Sequence, residues 1–121
     1  SYPAVCDGDV VFALATAARE RGIAARKGIV TTQALFYPGL LESNVKLYAK
    51  AGVIAMDNEV AALLVVSSLN GVKAGAILAA DAKAFELVGV EDYKPDQSAV
   101  NKAVEDEIDL ALNAIINVPL D

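Results

Sequence analysis

The stretch between residues 53 and 81 constrains the fold most, because short apolar runs alternate there with a helical segment. "VIAM" at 53–56 has the length of a short buried strand. "EVAALLVVSSLNG" follows as an almost wholly apolar helix, and "VKAGAILAADA" then predicts a strand that terminates at Asp81. Because a helix that is apolar on most sides is buried on most sides, we expect the helix of residues 59–70 to lie inside the molecule.

The segments before this stretch predict two further helices and one further strand. Apolar residues at helical spacing predict a helix from about Asp9 to Arg21, with Asp7 or Asp9 as its cap. β-Branched and aromatic residues in "KGIVTTQALFYPG" predict a strand that runs into a turn. "ESNVKLYAKAG" predicts a short helix that ends at its glycine.

The last segment predicts an amphipathic helix, after an irregular stretch from 83 to 97. "SAVNKAVEDEIDLALNAIINV" has acids on one face and an apolar stripe on the other. Such a pattern is typical of a surface helix packed on a sheet. The stripe consists of Val100, Val104, Ile108, Leu112 and Ile115.

Strands that alternate with helices predict an α/β fold with helix, sheet and helix layers. The chain has 121 residues, which is enough for one core and too little for two. No internal repeat or linker divides it, so we expect residues 1–121 to form a single α/β unit. The sequence begins with Ser1 and not with methionine, and we expect a processed chain or a portion of a longer one.

Composition excludes several classes of partner. Ten basic and sixteen acidic residues give a net charge of −6, so we expect neither nucleic acid nor an anionic membrane to bind. No apolar run reaches the ~20 residues of a membrane helix. One cysteine, Cys6, allows no internal disulfide, which favours a reducing, cytoplasmic location.

Composition and motifs also limit the chemistry. The chain has no histidine, which excludes a Ser-His-Asp triad and the usual zinc sites, and we expect no metal. Neither G-x-G-x-x-G nor G-x-x-x-x-G-K-[ST] is present, so we expect no nucleotide cofactor bound by those loops.

Polar residues follow the "VIAM" strand, at the kind of place where α/β sheets bind ligands. A Glu59 carboxylate at the start of a helix is stabilised in its charged form and can accept two hydrogen bonds. The vicinal diol of a ribose offers two such donors. Alternatively, Asp57 or Asn58 caps the helix and Glu59 only occupies its first turn. These residues alone leave both interpretations open.

Two other positions are candidates for binding a base. Asp81 follows seven residues without a polar side chain, so we expect it at the rim of a buried layer, where burial favours the protonated, proton-donating form. The alternative is an ordinary turn acid. Phe36 follows a strand and could stack on a planar base, or it could simply pack in the core.

Together these motifs resemble the nucleoside phosphorylase family that contains uridine phosphorylases and hexameric purine nucleoside phosphorylases. The resemblance runs over nearly all of the chain but corresponds only to the carboxy-terminal half of such an enzyme. Its most specific piece is "AMDNEVAALLVVSSLNGVKAGAILAAD". The resemblance implies a mixed central sheet. Because half of a layered fold exposes apolar surface that the other half normally covers, we also expect a homo-oligomer. It also implies phosphate-dependent cleavage of a nucleoside to base and ribose 1-phosphate, with phosphate as co-substrate and no cofactor.

The resemblance also implies roles for the residues around the sugar. The family motif usually reads Glu-Met-Glu, and its last glutamate, which holds the ribose hydroxyls, is similar to Glu59. Asp57 stands in the place of the first acid, and Asn58 in that of the methionine under the sugar. Asp81 resembles the acid that protonates the leaving base in purine-cleaving members.

On the base side, the resemblance implies that Phe36 stacks on the base and that Thr32 and Gln33 lie beside it. Thr32 and Gln33 replace residues of a serine pair and an aspartate. Uridine phosphorylases read uracil with a Gln and an Arg just after the turn, where this chain has Leu40 and Glu42.

The leading hypothesis from the sequence is a uridine-phosphorylase-like enzyme, and the first alternative is a purine nucleoside phosphorylase that uses Asp81. A second alternative is a non-catalytic nucleoside-binding or assembly fragment. The phosphate ligands of the family belong to its amino-terminal half, so we expect these 121 residues to be inactive in isolation.

Overall fold

Helices alternate with strands along the chain, which confirms the predicted α/β class. The structure is a computed structural model and describes residues 1–84 and 90–120. A short 3-10 turn at Val90–Asp92 precedes the last helix. The main elements are α1 (Gly8–Glu20), β1 (Ile29–Thr32), α2 (Val45–Lys50), β2 (Val53–Asp57), α3 (Val60–Leu69) and α4 (Gln97–Ile115).

Aspartate side chains start the two long helices. The Asp7 carboxylate accepts a hydrogen bond from the backbone N–H of Asp9 at 2.9 Å. Helix α1 begins at Gly8, directly after Asp7, so Asp7 caps the helix as predicted. The Asp96 carboxylate accepts from the N–H groups of Ser98 and Ala99 at the start of α4. Each cap satisfies backbone donors that have no partner inside the helix.

The sheet consists of β1 and β2, which pair in parallel. Parallel neighbours need a crossover connection, and α2 lies within it. Thr32 pairs with Asp57, so the carboxyl ends of both strands lie at the same edge. Among the described residues the sheet is purely parallel, and the mixed sheet that we expected is not observed there.

Residues 72–81 form neither helix nor strand, so the predicted strand that ends at Asp81 is wrong for this structure. Apolar content alone does not make a strand, because a strand needs a hydrogen-bonded neighbour. This segment lies on α1 instead, and its Ala74 carbonyl accepts from Asp7 N at 2.7 Å. A Cβ at Gly75 would lie only 2.5 Å from Cγ1 of Val10, so the close approach requires glycine.

The core lies between α1 and α4. Ala17 and Ala18 of α1 pack around Leu110 of α4, which is 1% exposed, and Ile23 and Ile77 border this cluster. The small alanine side chains let the two helix backbones approach closely, and Leu110 of α4 packs into the space beside them.

This packing corrects the predicted apolar stripe of α4. Its members Ile108, Leu112 and Ile115 are all more than half exposed, whereas Leu110 and Ala114, which lie outside the stripe, are buried. The other two members, Val100 and Val104, are half-buried. The helix packs on another helix and not on the sheet. The prediction selected the largest side chains, but the buried face is the one that fits against alanine.

The expectation that α3 is buried on most sides is also wrong. Leu64 is its only buried residue, while Leu63, Val66 and Leu69 are 51%, 60% and 66% exposed. The helix ends where predicted, followed by Gly71 with a φ of 67°. Helix α3 therefore carries more apolar side chains than the other described residues bury.

No helix in the described part of the chain combines the length and the apolar character needed to cross a bilayer.

Candidate functional site

The Asp57 carboxylate lies at the shared end of β1 and β2 and joins both strands to α3. Its Oδ1 accepts a hydrogen bond from Thr32 Oγ1 at 2.6 Å. Its Oδ2 accepts from the backbone N–H groups of Glu59 at 2.9 Å and Val60 at 2.6 Å. Thr32 Oγ1 in turn accepts from Ala61 N at 3.0 Å.

These bonds settle what Asp57 does locally and set its charge. Partial burial opposes the charged form, but the hydrogen bonds from Thr32, Val60 and Glu59 outweigh it and lower the pKa of the Asp57 carboxyl. Asp57 thus accepts from backbone N–H groups at the start of α3, although Glu59, and not Asp57, is the residue that directly precedes the helix. Most of the acceptor capacity of Asp57 is therefore already used inside the protein.

Asn58 connects the same edge to the segment after β1. Its Nδ2 donates to the backbone carbonyl of Gln33 at 2.6 Å, while Gln33 N donates to the carbonyl of Asp57 at 2.8 Å. The backbone of Gln33 is therefore held at its carbonyl by the Asn58 side chain and at its N–H by the carbonyl of Asp57. An asparagine at this position has a structural use that a methionine could not provide.

Glu59 differs from its neighbours because its side chain is exposed. It is the residue immediately before α3 and not, as expected, part of the first turn. Its backbone N–H is held by Asp57, but no hydrogen bond of its carboxylate occurs within residues 1–84 and 90–120. The backbone is thus fixed while both carboxylate oxygens can accept donors from a ligand.

A cavity of about 230 Å³ opens beside this edge, between β1, the segment that follows it, and α2. Three predicted base-binding residues, Thr32, Gln33 and Phe36, line it. Asp57, Asn58, Glu59 and Asp81 do not belong to its wall. Asp57 and Asn58 each bond to a residue that does, so the predicted sugar side adjoins the predicted base side.

Aromatic rings form the other end of this arrangement. Phe36 contacts Tyr37 edge-on at 4.8 Å between ring centroids and Tyr93 at 5.8 Å. The Tyr93 hydroxyl donates to Oδ2 of Asp81 at 2.6 Å. Asp81 is thereby linked to the cavity wall through Tyr93 and Phe36.

The structure corrects one expectation about Asp81. It is exposed and does not lie at the rim of a buried layer, because residues 72–81 form no strand whose end it could occupy. The irregular stretch that we expected from 83 to 97 lies partly outside the described residues, at 85–89.

Tyr93 is the site residue that the sequence did not reveal. It lies twelve residues after Asp81, in a segment without periodicity, and nothing local distinguishes it from Tyr37 or Tyr48. Only the juxtaposition of two distant segments identifies it.

Comparison with known proteins gives consistent results. The family model described as the phosphorylase superfamily matches residues 1–117. The chain is 32% identical to purine nucleoside phosphorylase of Plasmodium falciparum over 114 residues, which cover 93% of this chain and 45% of that protein. It is 33% identical to purine nucleoside phosphorylase of Plasmodium vivax over 81 residues, which cover 66% and 33%.

A solved structure confirms the fold. The crystal structure of purine nucleoside phosphorylase from Toxoplasma gondii in complex with immucillin-H matches with a TM-score of 0.82 and 30% identity, over 94% of this chain and 46% of that chain. The chain spans about half the length of the relatives that it matches. It therefore belongs to the phosphorylase superfamily, whose nucleoside phosphorylases are pentosyltransferases that use phosphate as co-substrate and need no cofactor.

Proposed function

We propose that these residues form the nucleoside-binding side of a nucleoside phosphorylase, as a single α/β unit from the carboxy-terminal portion of a longer domain. The observation that carries the proposal is the exposed Glu59 carboxylate on a backbone fixed by Asp57, at a sheet edge where Asp57 and Asn58 bond to residues that line a cavity together with Phe36. A carboxylate suits the ribose diol, and an aromatic ring suits the base. The single cysteine favours a reducing, cytoplasmic location.

A purine ribonucleoside is the substrate class that the observations favour over uridine. The relatives that match are purine nucleoside phosphorylases. Leu40 and Glu42 replace the residues with which uridine phosphorylases read uracil, and Asp81 provides an acid for a purine ring nitrogen. These observations support a purine nucleoside phosphorylase over the uridine-phosphorylase-like enzyme, which was the leading hypothesis from the sequence.

The chemistry requires two charges to be stabilised as the glycosidic bond breaks. The electron pair of the C1′–N9 bond goes to the departing purine, Asp81 gives its proton to N7, and a phosphate oxygen bonds to C1′. Positive charge on the ribose in the transition state favours a nearby Glu59 carboxylate. Asp81 neutralises the base as it leaves. The products are the free purine and ribose 1-phosphate.

Binding of inosine and 2′-deoxyinosine to the chain tests the role of Glu59. We expect inosine to bind about tenfold more tightly, because one hydrogen bond to a charged acceptor depends on the 2′-hydroxyl. Glu59→Gln should remove most of this preference, while Glu105→Gln, an exposed glutamate on α4, should retain it. Equal affinity of the unaltered chain for both nucleosides would contradict the proposal.

Turnover provides a second test. The isolated chain should release no hypoxanthine from inosine and no uracil from uridine in the presence of phosphate, because the phosphate ligands belong to the other half of the domain. Release by the chain alone, dependent on phosphate, would contradict the division of the site between two halves.

Asn58 favours a second candidate function, a nucleoside-binding or assembly module without catalysis. Its amide is committed to the Gln33 carbonyl, where the family places an apolar methionine under the sugar. In that case the chain, combined with the amino-terminal half of a related nucleoside phosphorylase, would bind ribonucleosides but would not cleave them with phosphate. Phosphate-dependent cleavage by that combination would exclude this function.

A further inference from the structure

Tyr93 connects the predicted acid to the predicted base-stacking ring. Its hydroxyl donates to Oδ2 of Asp81 at 2.6 Å, and its ring meets Phe36 nearly perpendicularly, at 82° and 5.8 Å. Phe36 lines the cavity, and so does Ala84, three residues after Asp81. The side chains of Asp81, Tyr93 and Phe36 therefore form one continuous cluster at the cavity.

The direction of the hydrogen bond determines what Tyr93 can do for Asp81. A phenol that donates to Oδ2 fixes the plane of the carboxyl group and leaves Oδ1 for a ligand. The bond becomes charge-assisted, and so stronger, when the carboxyl group is ionised. If Asp81 gives its proton to a base, the tyrosine hydroxyl stabilises the carboxylate that this step produces.

We propose that Tyr93 is a positioning residue for Asp81, which it orients toward N7 of a purine and stabilises as a carboxylate when N7 carries the proton. This inference rests on the proposed function, because it assumes that a purine occupies the cavity beside Phe36.

Tyr93 remains a donor under ordinary conditions. The hydrogen bond to Asp81, followed by desolvation, the charge of Asp81 and the nearby Tyr37, raises the pKa of the Tyr93 phenol. The hydroxyl therefore keeps its proton at neutral pH. Lys83 lies two residues after Asp81, and Glu91, Asp92 and Lys94 flank Tyr93 along the chain. Of these, Lys83 and Asp92 make further interactions of their own.

Two nucleoside analogues isolate the proposed interaction. Inosine has no hydrogen on N7 at neutral pH, whereas 9-deazainosine has one and cannot be cleaved, because its base is joined to the ribose by a carbon–carbon bond. An Asp81 carboxylate held by Tyr93 should accept a hydrogen bond from N7–H of the analogue. The chain should therefore bind 9-deazainosine more tightly than inosine, by about tenfold.

Calorimetric titration of both ligands into three variants tests the inference. Tyr93→Phe keeps the ring on Phe36 and removes only the hydroxyl, so it should lose most of the preference for 9-deazainosine and keep its affinity for inosine within about twofold. Asp81→Asn should also lose the preference. Tyr2→Phe removes a phenol hydroxyl that bonds to Ser68 Oγ, away from the cavity, and should bind like the unaltered chain.

An absorbance titration of the tyrosines adds a readout that does not need a ligand. One phenol of the unaltered chain should ionise at higher pH than the others, and both Tyr93→Phe and Asp81→Asn should abolish that late ionisation. Circular dichroism would verify that each variant is folded.

The outcomes separate the two proposals. If Asp81→Asn loses the preference and Tyr93→Phe keeps it, the role of Tyr93 is refuted while the proposed function stands. If both variants keep it, neither residue faces N7. If the unaltered chain binds no ribonucleoside, the proposed function fails for this chain, and the inference fails with it.

Discussion

At the scale of single residues, Asp57 determines how the edge of the sheet is built. One carboxylate accepts hydrogen bonds from a strand hydroxyl and from two backbone N–H groups at the start of α3. Glu59 owes its position to this arrangement, because its own backbone N–H is one of the donors. A substitution at Asp57 should therefore lower the stability of the fold and weaken the proposed binding of ribose by Glu59.

Replacing Asp57 by alanine should lower the free energy of unfolding by about 1–2 kcal/mol at neutral pH, because the start of α3 and Thr32 lose their acceptor. Urea denaturation of both proteins would measure the difference. Asp106→Ala is a suitable control, since within the described part of the chain Asp106 pairs with exposed Lys102, and such surface pairs contribute little.

The pH dependence of stability should reveal the same carboxylate. Its pKa in the folded chain lies below that in the unfolded chain, so its contribution is complete above the unfolded-state pKa and disappears as the pH falls through the folded-state pKa. The difference between the unaltered chain and Asp57→Ala should therefore shrink in acid. A difference that stays constant from neutral pH to pH ~2 would contradict this assignment.

Local sequence could predict the candidates at this scale but not their partners. An acid after a strand and before a helix indicates either a cap or a ligand site, and the choice for Asp57 depends on Thr32, which is distant in sequence. Tyr93 gives no local signal at all, because its role depends on Asp81 and Phe36 lying next to it. Such pairings are consequences of the fold and are not encoded in short motifs.

At the scale of secondary structure, packing between α1 and α4 supplies the buried core. Alanines on α1 allow a close approach, and Leu110 fills the space between the helices. The helix bounds were predictable because caps and glycines mark them in the sequence, as at Asp7 and Gly71. The buried face of α4 was not predictable, because it depends on the shape of the neighbouring helix.

Two leucines on α4 test this packing directly. Leu110→Ala should lower the free energy of unfolding by about 2–4 kcal/mol, because it removes a fully buried side chain. Leu112→Ala, two residues away and 63% exposed, should change it by less than about 0.5 kcal/mol. If both variants lost the same free energy of unfolding in urea denaturation, the result would contradict this packing and support the apolar stripe predicted from the sequence.

At the scale of the whole molecule, apolar side chains remain exposed on several elements. Leu63, Val66 and Leu69 on α3 and Leu112 and Ile115 on α4 are all more than half exposed. Large apolar patches on a soluble protein mark interaction surfaces. The chain spans about half the length of the relatives that it matches, and we propose that the other half of such a domain would cover these surfaces.

We therefore expect the chain alone to self-associate into a homo-oligomer. Size-exclusion chromatography with light scattering should give a mass above that of one chain at high concentration. Replacing Val66 and Leu69 together by lysine should reduce the mass if α3 forms the contact, while Glu105→Lys, which changes the net charge equally, should not. A sharp monomer at high concentration would refute self-association.

Hydrogen exchange in the segment from 72 to 81 could show whether another part of the domain has bound to this chain. Two backbone hydrogen bonds anchor it, from Val72 N to Ser67 O and from Asp7 N to Ala74 O. Regions that lack a regular ladder open readily, and their amide hydrogens exchange quickly with solvent. If the preceding half of the domain lays a strand alongside this segment, its amides should become protected. Reduced deuterium uptake between residues 72 and 81 would then indicate that the two halves are bound to each other.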